Sequence, residues 1–133
     1  MGTVLVIDDE KAIADMLFRA LTRFGFDVLI ALDGRKGIEM FDSSAVDVVL
    51  TDVLMPGIDG VEVVNHIRRS DRKEMPVIAM SGTPTLLGDN GFDVVLPKPF
   101  SIYELRDQVE RFCPKAAEAA LMTANCRPIP EHR

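Results

Sequence analysis

Tryptophan is absent from the 133 residues, tyrosine occurs once and cysteine twice. Basic side chains are outnumbered, 15 against 21 acidic ones, for a formal charge of −6. Each shortage excludes something. Without a basic field, binding to nucleic acid or to an anionic membrane surface is not expected. No apolar run approaches the length that spans a bilayer. The chain passes from Met1-Gly2-Thr3 straight into Val4-Leu5-Val6-Ile7, which leaves no room for a secretory signal. Val6 also stands where a myristoylation signal needs Ser or Thr. Cys113 and Cys126 both lie near the C-terminus, frame no fold and lack companions for a metal site. A reducing, cytoplasmic setting is therefore expected. What is plentiful is apolar residues, 47% of the chain, enough for one core without staples.

Those apolar residues fall into five short runs, at 4–7, 28–31, 48–50, 77–80 and 94–96. The runs are rich in β-branched residues and do not alternate with polar ones, the pattern of strands buried on both faces. Between them the spacing turns helical. Ile13, Leu17, Ala20, Leu21 and Phe24 form one stripe, closed by Gly25. Ile38 and Phe41 mark a second helix, Val61, Val64 and Ile67 a third behind Asp59, and Ile102, Leu105, Val109 and Phe112 a last one behind Ser101. The expected fold class is α/β, a doubly wound, five-stranded parallel sheet with helices on both faces. One unit is irregular. The stretch 81–91 holds three glycines and Pro84, so a shortened or irregular fourth helix is expected there. Residues 1–112 account for the domain. The tail 113–133 is expected to be part helical over 115–125, where five alanines cluster, and then disordered.

Ligands of open α/β sheets bind outside the carboxyl ends of the strands. In chain order the residues at those ends are Asp8-Asp9-Glu10, Leu32-Asp33, Thr51-Asp52, Ser81-Gly82 and Pro97-Lys98-Pro99. Carboxylates, a hydroxyl and an ammonium would then share one edge. Acids that close repel one another unless their pKa values rise or a divalent cation joins them. Hard oxygen donors suit Mg²⁺, which shares its shell readily with a phosphate. A cation beside a lone lysine points to phosphoryl chemistry, with an aspartate as carboxylate nucleophile.

Asp8-Asp9, the segment from Asp52 through Met55-Pro56-Gly57 to Gly60, Ser81-Gly82 and Lys98-Pro99-Phe100 together resemble the receiver domains of two-component response regulators. Each motif alone is common; all of them in order, each behind its strand, are specific. The resemblance covers about the first 112 residues and implies the flavodoxin-like strand order 2-1-3-4-5. It implies that Asp52 accepts a phosphoryl group from a sensor histidine kinase or a histidine phosphotransfer protein. Asp9 and Asp52 would bind Mg²⁺ directly, Asp8 largely through water, and the backbone carbonyl of Leu54 would complete the protein ligands. Ser81 and Lys98 would hold phosphoryl oxygens, behind a cis Lys98–Pro99 bond. Such a domain catalyses only its own phosphorylation and dephosphorylation and signals to a downstream protein by contact.

The competing reading is a degenerate receiver that acts only as a binding module, which the full set of five site residues disfavours. A flavodoxin-like cofactor binder would need Ser, Thr and Gly where Asp8-Asp9-Glu10 stand. A dehalogenase-type phosphatase would need an acid where Leu54 stands. Lone acids could also be plain helix caps, and Lys98 a solvated loop residue, but neither explains the set. His66 has no feature of a phosphodonor and is expected at the surface. Receivers usually carry Tyr or Phe three positions before the lysine, where this chain has Val95, and Phe92 is an improbable substitute. With the short link after Ser81, that departure predicts output through a surface other than the usual one.

Overall fold

The computed structural model describes residues 2–83 and 91–113. Its strands are β1 (Thr3–Ile7), β2 (Asp27–Ala31), β3 (Val48–Asp52), β4 (Val77–Ser81) and β5 (Val94–Pro97). Its helices are α1 (Lys11–Arg23), α2 (Gly34–Ser43), α3 (Gly60–Arg68) and α4 (Ile102–Phe112). The strands pair in parallel in the order β2-β1-β3-β4-β5, as the resemblance implies. Of the expected tail 113–133 only Cys113 is described, buried in the core as the C-cap of α4; residues 114–133, and residues 84–90 of the crossover expected to hold a short helix, lie outside the described residues.

Alternation along each strand splits the core in two. Val4 and Val6 of β1, with Val48, Leu50, Ile78 and Met80, pack under Leu17 and Leu21 of α1 and Leu105 and Val109 of α4. Leu5 and Ile7, with Val49 and Val77, pack under Phe41 of α2 and Val63, Val64 and Ile67 of α3. Each face is thus covered by helices, which is why the strands read as unbroken apolar runs.

The helix starts are set by local chemistry. Asp33 caps α2 through Lys36 N–H, which donates to its Oδ1 at 2.7 Å. Asp59 and Glu62 form a reciprocal capping box on α3, and Ser101 and Glu104 form another on α4. Helix α1 ends where Gly25 takes a φ of +100°, open to glycine at no steric cost. These starts and the strand register place the C-terminal residues of β1, β3, β4 and β5 on one edge of the sheet.

Candidate functional site

Register builds the site. Ile7 pairs with Thr51, Asp52 with Met80, and Ser81 with Pro97, so Asp8, Asp52, Ser81 and Lys98 end or follow adjacent strands. Each of Asp8, Asp9 and Asp52 offers a carboxylate oxygen, and the three lie within 4.8 Å of one another. Asp8 and Asp52 are buried, whereas Asp9 faces out.

Asp52 is held through one oxygen. Its Oδ1 accepts from Val53 N–H at 2.9 Å and from Lys98 Nζ at 3.1 Å. That leaves Oδ2 without a hydrogen bond among the described residues. The strand end itself is fastened by Thr51 Oγ1, which donates to the Asp52 carbonyl at 2.9 Å, and by Val53 N–H, which donates to Met80 O at 3.2 Å. A pair this sheltered from water interacts more strongly than a surface pair. Lys98 is positioned by its own N–H, which donates to Ser81 O at 2.8 Å, and the Lys98–Pro99 bond is cis.

Asp8 is the anomalous member. Its Oδ1 accepts from Glu10 N–H at 2.9 Å, while Oδ2 is buried with no hydrogen-bond partner among the described residues. Burial pushes the carboxyl up from 3.8 to about 6; the Glu10 N–H and Lys98 pull it down, and the neighbouring charges of Asp52 and Asp9 add to the rise. An unsatisfied, charge-opposing carboxylate oxygen beside two more carboxylates is a ready ligand for a hard cation. Leu54, two residues beyond Asp52, is 71% exposed, an apolar side chain open to solvent. Ser81 ends β4 in a buried position, its Oγ accepting from Thr83 N–H at 3.0 Å.

The residues 4–110 match the family model described as "Response regulator receiver domain". The chain belongs to the response regulator receiver domains. Among curated relatives, an uncharacterized transcriptional regulatory protein, YrkP, of Bacillus subtilis is 36% identical over 111 residues, 80% of this chain and 47% of its own length. The response regulator MprA of Mycolicibacterium vanbaalenii is 35% identical over 131 residues, 90% of this chain and 56% of its own. This receiver therefore spans about half the length of the curated relatives it matches. Among solved structures, the receiver domain of a Francisella response regulator has a TM-score of 0.78 at 32% identity, covering 84% of this chain and 96% of that one. TrrA of Thermotoga maritima, solved in complex with Mg(2+)-BeF, has a TM-score of 0.78 at 30% identity, covering 84% of this chain and 99% of that one.

Within the receiver frame, Asp8, Asp9, Asp52 and Lys98 come together at one edge, and Ser81 ends the strand beside Asp52. Two residues named at the strand end and in the motif, but given no role by the sequence, support the site. Thr51 fastens the Asp52 carbonyl, and Gly60 lets α3 start against it: a Cβ there would lie 2.5 Å from Asp52 O and 2.9 Å from Val53 Cα. The glycine's place at the end of the Asp52–Gly60 motif was its only sequence signal. His66 is half-buried and pairs with Asp42 at 2.8 Å, away from the acidic edge. Val95 lies opposite Ala79, and Phe92 packs into the α2–α3 side of the core. No helix among the described residues is long and apolar enough to cross a membrane.

Proposed function

We propose that this receiver accepts a phosphoryl group on Asp52 from a phosphohistidine of a sensor histidine kinase or histidine phosphotransfer protein, and signals to a downstream protein by contact. The observation that carries the reading is the Lys98–Asp52 contact at 3.1 Å beside two further carboxylates, one with an orphaned buried oxygen. A surface acidic cluster has no need of a positioned ammonium, and a structural ion pair has no need of two more acids.

The donor set fits Mg²⁺: three carboxylates in reach of one point, one of them with its Oδ2 buried and unsatisfied. Asp8, Asp9 and Asp52 would hold the ion together with the Leu54 backbone carbonyl, and when bound it neutralises phosphoryl oxygens. The TrrA complex with Mg(2+)-BeF supports that assignment by analogy.

The chain's own residues do the rest. Asp52 Oδ2, free of hydrogen bonds among the described residues, forms the bond to phosphorus. The P–N bond to the donor imidazole breaks, and its electron pair returns to the ring nitrogen. Lys98 meets the charge on the transferred group, exchanging one partner anion for another at the same place. Ser81 Oγ, at the end of β4, donates to a phosphoryl oxygen. Water later cleaves the acyl phosphate at phosphorus and regenerates Asp52, so the only turnover is of the receiver's own phosphorylation.

Incubation with acetyl phosphate and Mg²⁺, followed by intact-mass measurement, tests the reading. A gain of one phosphoryl group is expected for the wild type and none for Asp52→Asn. No Asp52-dependent gain would leave a phosphorylation-independent binding module in its place.

A further inference from the structure

On the helical face that carries α1 and α4, an apolar trough of about 660 Å³ runs between the two helices. Met16, Phe18, Phe24, Ile102 and Tyr103 line it, and Phe18 and Tyr103 are 42% and 58% exposed. Large apolar side chains left in water together mark contact surfaces more often than isolated ones do.

The charge around the trough is unlike that of the chain as a whole. Arg19 and Arg23 line it, no acidic residue does, and neither arginine has an ion-pair partner among the described residues. Arg106 lies over the Phe24 and Tyr103 rings at 5.5 and 5.3 Å. The acids nearby are already engaged. Asp15 pairs with Lys11 and Asp107 with Arg106, while the Glu104 carboxylate turns back to accept from Ser101 N–H in its capping box. A cationic, aromatic trough has therefore been set into a molecule of net charge −6.

We infer that this trough docks an acidic amphipathic helix of a partner protein. Apolar side chains of that helix would fill the space between Phe18 and Tyr103, and flanking Glu or Asp would meet Arg19 and Arg23. The aromatic and arginine content is that of interface hot spots. Charge decides between this occupant and two others. A second copy whose twofold axis passes through the trough would bring Arg19 and Arg23 against the same arginines. The chain's own residues 114–133 carry Lys115, Arg127 and Arg133 against Glu118 and Glu131, so they offer no acidic excess. The inference does not depend on phosphoryl transfer at Asp52.

Two synthetic helical peptides with the same leucine face, one flanked by glutamates and one by lysines, are titrated into the ¹⁵N-labelled full chain. The glutamate peptide is expected to bind, to shift amides around Phe18, Arg23 and Tyr103, and to weaken as salt is added. Arg19→Glu/Arg23→Glu should lose about tenfold or more for the glutamate peptide and gain for the lysine one. Tyr103→Ser, which leaves the charge untouched, should weaken the glutamate peptide without reversing the preference. Equal binding of both peptides, or shifts elsewhere, would overturn the proposal. So would a concentration-dependent dimer in sedimentation that Tyr103→Ser dissolves, since a second copy would then be the occupant.

Discussion

The Asp8 carboxyl is held at about 6 chiefly by burial, against an ordinary value of 3.8. Folding therefore favours its neutral form. That contribution to stability is fully present below about pH 4 and is lost as the pH rises through 6. Asp8→Asn should flatten the stability curve of the metal-free protein across that window, by on the order of 2 kcal/mol, in denaturant melts at pH 4.5 and 7.5. The same group predicts the response to Mg²⁺. A cation needs the ionised carboxylate, so its stabilising effect should be larger at pH 7.5 than at pH 5, and should shrink in Asp8→Asn. Gly60 is sensitive for a different reason. Gly60→Ala puts a methyl 2.5 Å from the Asp52 carbonyl, which is strand backbone and cannot swing away. A loss of about 2 kcal/mol or more is expected, with a fall in Asp52 phosphorylation measured by mass under conditions where the variant is folded.

At the scale of elements, the starts of α2, α3 and α4 depend on single side chains. Asp59 accepts from Glu62 N–H at 3.0 Å, and Glu62 Oε1 returns the favour to Asp59 N–H at 3.1 Å. Asp59→Ala should cost about 1 kcal/mol in a urea melt, with no change in the slope. The effect should reach the site, because α3 begins at Gly60 against the end of β3. Helix α1 differs: Glu10 stands at its N-cap with no side-chain hydrogen bond, and the Glu10 N–H is taken by Asp8 Oδ1 instead. The N-cap side chain of α1 is thus unengaged, so capping by Glu10 does not account for the acids before this helix.

At the scale of the molecule, Arg68 joins segments that lie far apart in sequence. From the end of α3 its guanidinium donates to the carbonyls of Lys73, Met75 and Gly91 and to the Asp93 carboxylate. Asp93 in turn accepts from Val77 N–H at 2.8 Å, so the entrances to β4 and β5 are tied to one side chain. Arg68→Ala would strand several of those carbonyls and an acid together. A loss of about 2–4 kcal/mol is expected in chemical denaturation, well above that of an exposed ion-pair partner such as Lys11→Ala.

The strand runs and helix stripes were legible because burial on both sheet faces leaves a mark in composition, residue by residue. The strand ends followed, and with them Asp8, Asp9, Asp52, Ser81 and Lys98. Asp59 and Ser101 were legible as caps because capping is local. Gly60 was not, because its demand comes from the backbone of another element passing close by. Nor could periodicity place the free Asp52 Oδ2, the orphaned Asp8 Oδ2 or the Arg68 clamp, since each depends on which atoms meet across long separations. Burial pattern and motif order in the amino-acid sequence carry the fold class and the kinds of side chain on the acidic edge. Tertiary structure alone decided which oxygen is held, which carboxyl is desolvated, and that an overall acidic chain carries a cationic trough between α1 and α4. Net charge is a sum over residues; a docking surface depends on where they stand.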